Sequence, residues 1–358
     1  MPAINTAVNP IITAVDLFCG AGGLTKGLEK SGIKVSVGVD IDPACSFPFE
    51  ANNDAEFILK SVDEISGAEL KSKWGKGSIK LLAGCAPCQP FSTYRFGTDT
   101  TKDHKWRLLY EFSRLIKESK PELITMENVP NLIRHEVFLD FVNNLKKQGY
   151  CVSYSVVRCM EYGMPQSRNR LVLLASKFGE IELLKPTHGP GRNKPYVTVM
   201  DAVGKLPILK AGGVDVKDIL HQSAALTPIN LKRIKASKPG GTWRDWPEKL
   251  VAECHKKDSG KTFPSVYARM AWDKPAPTMT TQLYGYGNGR FGHPEQDRAI
   301  SLREGAMFQS FPKGYKFVKP GEKVKRTVIG RLIGNAVPPK LGEVIGKSLL
   351  QHVNKYNG

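Results

Sequence analysis

The first 176 residues alternate short apolar runs with amphipathic ones, and that alternation restricts the chain to few architectures. Residues 14–18, 35–39, 79–83 and 123–126 are short apolar runs, with two more at 152–157 and 171–175. Between the third and fourth, residues 106–117 carry Trp106, Leu108, Leu109, Phe112, Leu115 and Ile116 at helical spacing. Residues 24–30 and 137–145 read the same way, and residues 340–353 read as a closing helix. Short buried strands separated by amphipathic helices imply an α/β fold with a mostly parallel sheet. In such a fold, function collects in the loops at the carboxyl ends of the strands.

The pattern breaks after Ser176. Residues 186–277 contain ten prolines, several glycine pairs and few long periodic runs. This reads as a second, smaller domain. With 358 residues and about 150 residues per domain, two domains are expected. The expected division is 1–185, then 186–264 (or to about 300), then a segment 265–358 that returns to the first domain.

Charge narrows the class of partner. The formal net charge is +18, which favours a polyanion, nucleic acid before acidic membrane. Residues 228–262 hold nine basic and four acidic side chains, with Trp243 and Trp246 interleaved. Basic side chains beside aromatics and glycines favour nucleic acid over a merely solvated loop. No run of 18 apolar residues exists, so no membrane span is expected. The uncharged, proline-interrupted N-terminus lacks the basic region of a secretory signal, which predicts a cytoplasmic protein. Seven cysteines, an odd count, do not read as a disulfide framework.

Four loops carry candidate chemistry. Asp16-Leu17-Phe18-Cys19-Gly20-Ala21-Gly22-Gly23 follows the first strand and opens a helix, but its glycines do not give the G-x-G-x-x-G of a dinucleotide site. Asp40 ends the second strand, where a carboxylate can take both hydroxyls of a ribose. A loop acid and an aromatic, Asp16 and Phe18, suit a cationic, adenine-bearing ligand better than a pyrophosphate; a plain tight turn is the competing reading. Cys85-Ala86-Pro87-Cys88 follows the third apolar run. A zinc site needs further ligands, and no close Cys or His pair accompanies these two. A redox pair is expected to open a helix, which Pro90 disfavours. The remaining reading is a nucleophile, Cys88, aimed by the rigid φ of Pro87 and Pro90. Glu127 is a carboxylate directly after an apolar run, read either as a cap or as an active-site acid. Arg168 and Arg170 alternate, so an extended chain places both on one side, for anion or base recognition or as an edge decorated with charge.

In this order the segments resemble the DNA (cytosine-5-)methyltransferase family, in particular bacterial type II enzymes. The resemblance covers most of the chain. It runs from the glycine loop, Asp40 and Asp63 through Pro87-Cys88-Gln89-Pro90-Phe91-Ser92, Glu127-Asn128-Val129 and Gln166-Ser167-Arg168-Asn169-Arg170. It continues through Pro275-Ala276-Pro277-Thr278, Ser301-Leu302-Arg303-Glu304 and Phe308-Gln309-Ser310-Phe311-Pro312, ending at Gly334-Asn335-Ala336-Val337-Pro338-Pro339. The region that matches least, about 186–264, is where the family keeps its variable target-recognition domain. One triplet departs: Val62-Asp63-Glu64 stands where the family often has Gly-Asp-Ile.

The resemblance implies a Rossmann-like fold that uses S-adenosylmethionine as cofactor, with no metal. Phe18 would stack on the adenine, Gly20, Gly22, Gly23, Leu24 and Ile41 would line the ligand, and Asp40 would take the ribose hydroxyls. Asp63 would take the adenine amino group, while Pro87, Asn335 and Val337 would complete the cofactor set. Cys88 would add to carbon 6 of cytosine, with Glu127 supporting N3 and the 4-amino group. Gln166, Arg168 and Arg170 complete the catalytic set, Arg170 being the first choice for the base oxygen. Ser92, Arg233, Lys235, Trp243 and Arg244 are the candidate DNA contacts. The implied partner is double-stranded DNA read by a monomer that flips its target base. A cognate restriction endonuclease is its genetic counterpart. Two other readings differ in testable features. A tRNA methyltransferase of the same core carries Cys-Phe-Thr near the recognition region, which is missing here, and a non-catalytic relative would have lost Cys88, Glu127 or the glycine loop.

Overall fold

The computed structural model describes residues 11–87 and 107–356. In chain order its strands are β1 (Ile12–Leu17), β2 (Lys34–Asp40), β3 (Glu56–Leu59), β4 (Ile79–Gly84), β5 (Leu123–Asn128), β6 (Cys151–Arg158) and β7 (Asn169–Ser176). The first helices are α1 (Gly23–Ser31), α2 (Ser46–Glu50), α3 (Gly67–Lys73), α4 (Arg107–Ser119) and α5 (Glu136–Lys147). There follow α6 (Val199–Val203), α7 (Pro228–Ala236), α8 (Glu253–Lys256), α9 (Asp258–Lys261), α10 (Leu302–Phe308), α11 (Arg326–Asn335) and α12 (Pro339–Tyr356). The chain divides into two compact units, one of residues 1–158, 169–185 and 337–358, the other of residues 159–168 and 186–336.

The first unit is built on one seven-stranded sheet in the order β3-β2-β1-β4-β5-β7-β6. Strands β1 to β5 pair in parallel, whereas β7 is antiparallel to both β5 and β6. Every residue of β1 and of β5 is buried, as expected for strands covered on both faces. The chain reverses its direction of progress between β1 and β4. That is the switch point where open α/β sheets bind ligands, at the carboxyl ends of the strands. The core joins Val15, Leu17, Val37, Leu82, Ile124 and Met126 of the sheet to Leu109, Phe112, Leu115 and Ile116 of α4 and Phe138 and Phe141 of α5. Of the apolar positions read from residues 106–117, Leu109, Phe112, Leu115 and Ile116 form the buried face of α4, and Trp106 lies outside the described residues.

Helix α12 closes this unit by packing on α1. The contact is made by glycines: a Cβ on Gly27 would sit 2.5 Å from Gly342 Cα, and one on Gly342 2.9 Å from Leu24 O. Two helices approach this closely only where side chains are missing from the seam.

The second unit is poor in regular structure, with helices of four to ten residues. Buried guanidiniums do much of the work of satisfying its loop carbonyls. Arg269 donates to Ile234 O, Ser237 O, His293 O and Gln296 O, and pairs with Asp297. Arg298 and Glu304 form a buried pair at 2.8 Å. Trp243, Trp246 and Leu250 make a small core of their own. Among the described residues of both units, no helix is long and apolar enough to cross a membrane.

Candidate active site

The glycine loop leaves β1 through a tightly wound backbone. Phe18, Gly20 and Gly22 have φ of 56°, 55° and 83°. Such a value at a phenylalanine is a strained, functional-site signature. The loop is anchored to β2, with Cys19 N donating to Val39 O at 3.1 Å and Gly20 N to Asp40 Oδ2 at 2.9 Å. Asp42 N donates to Asp40 Oδ1 at 2.9 Å, so both carboxylate oxygens face the end of the sheet and retain lone pairs. Burial raises the Asp40 carboxyl above its ordinary range, opposed by those backbone donors. Ile41, next to it, is 69 % exposed, an apolar surface beside the carboxylate.

Beneath the loop, Asp16 is 1 % exposed. Thr25 Oγ1 donates to its Oδ2 at 2.7 Å, while its Oδ1 is buried with no partner. Burial pushes this carboxyl up to about 7, with the Asp40 charge adding to the effect. The Cys19 thiol is likewise pushed up by burial, and by Asp16 and Asp40. Asp63 lies after β3 and accepts from Ser61 Oγ and from Arg107 Nη2, the latter at 2.6 Å. Both bonds, that from Ser61 the stronger influence, hold its carboxyl below the ordinary range. Leu24 contributes to the core and is 2 % exposed, so its backbone is what it offers a ligand. Val337 is buried in the first unit, and Asn335 is exposed at the end of α11 in the second.

The parallel pairing of β4 with β5 sets Gly84 opposite Met126, so Cys85, just past the end of β4, comes beside Glu127 of β5. Cys85 N donates to Leu17 O at 3.3 Å, and Asn128 Nδ2 to Ala86 O at 3.1 Å, which ties this segment to β1 and β5. Glu127 is 2 % exposed. Cys85 Sγ donates to its Oε2 at 3.0 Å, and Arg170 Nε stands 2.8 Å from its Oε1. The antiparallel register of β5 and β7, with Asn128 opposite Leu171, is what brings Arg170 to the carboxylate. A buried carboxylate needs such a cation to offset its desolvation. Pro87 is partly exposed at the end of the described segment, and Cys88 and Ser92 lie outside the described residues.

Gln166 and Arg168 belong to the second unit. Arg168 and Arg170 do not present one doubly charged face. Arg168 is 2 % exposed and donates to Met279 O at 3.0 Å and Gly334 O at 3.1 Å within the second unit. Gln166 is fully buried there: its Nε2 donates to Phe308 O and Gln309 Oε1, and its Oε1 accepts from Met279 N. Both brace a loop-rich unit whose carbonyls need donors. Trp243 is also a core residue, stacked on His255 with centroids 4.4 Å apart. Arg233 lies partly buried, bonded to Leu250 O and Asn230 Oδ1 beneath Tyr267 and Trp246. Lys235 and Arg244 are exposed. Three residues that sequence reasoning left unassigned belong to these sites: Cys85, Thr25 and Arg107. Only Cys85 had a signal, its place at the end of an apolar run beside the Cys88 loop.

Comparison with known proteins agrees with this architecture. A family model described as C-5 cytosine-specific DNA methylase matches residues 12–351. The type II methylase M.HgiDII of Herpetosiphon aurantiacus is 53 % identical over 94 % of each chain. The type II methyltransferase M.Sau96I of Staphylococcus aureus is 32 % identical over 99 % of this chain and 79 % of its own. Among solved structures, a putative DNA modification methyltransferase encoded within an E. coli prophage superposes with a TM-score of 0.72 at 22 % identity, covering 96 % of this chain and 99 % of its own. Spodoptera frugiperda DNMT2 superposes at 0.63 with 18 % identity, covering 94 % of this chain and 99 % of its own, and both likenesses speak for the fold. With a family match spanning nearly its whole length and a relative sharing more than half of its residues, the chain is a member of the C-5 cytosine-specific DNA methylases.

Proposed function

We propose that this methylase modifies carbon 5 of one cytosine within a specific double-stranded DNA sequence, as the methyltransferase of a type II restriction-modification system. The observation that carries the chemical reading is the buried Glu127 carboxylate, held between Arg170 and Cys85 three residues upstream of Cys88. Carbon 5 of cytosine is a poor nucleophile. Addition of the Cys88 thiolate to carbon 6 forms a carbon–sulfur bond and moves electron density toward N3 and carbon 5. Glu127 holds a proton at N3 and accepts from the 4-amino group, and Arg170 neutralises the carboxylate and donates to the base oxygen. Once carbon 5 has taken the methyl group, loss of its remaining proton to solvent expels the cysteine sulfur as thiolate and restores the aromatic ring, now methylated. None of these atoms is reachable within a duplex, so the target base is extruded; methyltransferases are among the standard cases of this behaviour.

The residues around the glycine loop suit S-adenosylmethionine, which supplies an electrophilic methyl group on a sulfonium when bound. The unpartnered Oδ1 of Asp16 and the open lone pairs of Asp40 favour a cationic, hydroxyl-bearing ligand, and Ile41 and Phe18 favour its adenine. Asp63 would accept from the adenine amino group, and Asn335 and Val337 would close on the methionine end. The second unit would read the target, its exposed Lys232, Lys235, Lys238 and Arg244 supplying phosphate contacts that set register. The enzyme would act as a cytoplasmic monomer and protect host DNA from a cognate endonuclease.

Incubation with duplex DNA carrying 5-fluorocytosine, together with S-adenosylmethionine, tests this reading. The fluorine blocks loss from carbon 5, so a covalent protein–DNA adduct is expected with the wild type and none with Cys88→Ala. An adduct that survives in Cys88→Ala makes another residue the nucleophile. Bisulfite sequencing of a plasmid modified by the purified enzyme identifies the site.

A further inference from the structure

The thiol of Cys85 is not part of the chemistry just described, yet it donates to Glu127 Oε2 at 3.0 Å. Its backbone is fixed on one side by the bond from its own amide to Leu17 O, and on the other by that from Asn128 Nδ2 to Ala86 O. Both carboxylate oxygens of Glu127 therefore have a neighbour among the described residues. Oε1 faces a permanent cation, and Oε2 faces a thiol, a weak donor.

We propose that Cys85 is a positioning residue that holds the Glu127 carboxylate in register while the base pocket is empty and yields Oε2 to the incoming cytosine. The proposal rests on the reading that Glu127 serves the base. A buried carboxylate with one free oxygen would rotate about its last torsion, and that rotation must be frozen before the base can be held. A strong donor such as a hydroxyl would freeze it equally well but would compete with the cytosine amino group for the same oxygen. A thiol freezes it and is displaced at small cost. The residue's own chemistry is unchanged by this role, for no bond is made or broken and no proton leaves the sulfur.

Two readouts on the full-length enzyme test the idea. The infrared S–H stretch of Cys85, isolated as the difference between wild type and Cys85→Ser, is expected to lie at a hydrogen-bonded frequency. It should move toward the free value in Glu127→Ala, and again when wild type binds duplex DNA containing its target. A band indifferent to Glu127→Ala, or unmoved by target DNA, overturns the proposal. The second readout is the single-turnover rate of methyl transfer at saturating cofactor and DNA. Cys85→Ala should lower it about three- to tenfold, the worth of one modest hydrogen bond. The DNA dissociation constant should stay within about twofold, since the lost bond serves alignment and not binding. Cys85→Ser should recover most of the rate, because its hydroxyl also holds Oε2 before the base arrives. Equal losses in Ala and Ser point to packing of the sulfur and overturn the positioning role. Glu127→Gln in the same assay separates the two layers. If it keeps the full rate, the role of Glu127 itself falls, whereas a slow Glu127→Gln beside an unaffected Cys85→Ala refutes only the role of Cys85.

Discussion

Replacing Asp16 with asparagine should abolish a pH dependence of stability that the fold imposes on one buried carboxyl. Asp16 is 1 % exposed, and its carboxyl is pushed from 3.8 to about 7, chiefly by desolvation. At about 1.4 kcal/mol per pH unit, that gap corresponds to roughly 4 kcal/mol. The folded carboxyl is raised above its unfolded value, so the stability is fully present below about pH 4 and is lost as pH rises. Between pH 4 and 7 the unfolded chain has released this proton and the folded chain retains it, so wild-type stability falls by about 1.4 kcal/mol per pH unit from this site alone. Above about pH 7 both states are ionised and the contribution is flat. Asparagine keeps an oxygen for Thr25 Oγ1 and cannot ionise. Its amide places a donor where Oδ1 has no partner, which adds an offset that does not vary with pH. The readout is therefore the slope of the difference, not its level. Denaturant midpoints of wild type and Asp16→Asn, measured without cofactor across the range from about pH 4 to about pH 8, should diverge through the lower part and run parallel above. Titrating groups that do not feel the Asp16 charge are common to both proteins and cancel, which leaves Asp40 and the Cys19 thiol as the coupled neighbours. Stability curves that run parallel across the whole range would refute the assignment of a proton to this carboxyl.

Two further outcomes test other parts of the molecule. Gly27→Ala puts a methyl against Pro339 O and 2.5 Å from Gly342 Cα, backbone that cannot step aside. It should lower stability by about 1–3 kcal/mol, read as a lower thermal midpoint, and an unchanged midpoint would mean that α1 and α12 do not meet at this seam. Lys235→Ala removes one exposed cation of α7 and should reduce the slope of log affinity against log salt for duplex DNA by about one while leaving the modified site unchanged. An unchanged slope would take Lys235 off the DNA.

The strands that carry the chemistry could be read from local pattern because both of their faces are buried. A four- to six-residue apolar run bounded by glycine or a charge has few other fates. The runs at 14–18, 35–39, 79–83 and 123–126 became β1, β2, β4 and β5 with boundaries moved by a residue or two. Strand β3 (Glu56–Leu59) is hard to read because it is short and only half-buried at the sheet edge, with an apolar run of just three residues, Phe57 to Leu59. The two late strands were located, but their antiparallel direction was not, since the period of a strand is the same in both senses. The candidate DNA contacts fared less evenly, for composition marks a basic aromatic segment without saying which members turn inward. Trp243 went to a small core of the second unit, Arg233 lies half-buried, and Lys235 and Arg244 stayed outside.

Sequence alone determined the class of fold, the glycine loop, and the order of Cys88, Glu127 and Arg170, because each depends on neighbours along the chain. Tertiary structure decided which of these groups meet. Glu127 owes Arg170 to an antiparallel register and Cys85 to a parallel one, and Asp16 owes its raised carboxyl to burial beneath a loop. Pairing across strands and exclusion of water are properties of the assembled sheet, and no local spacing encodes them.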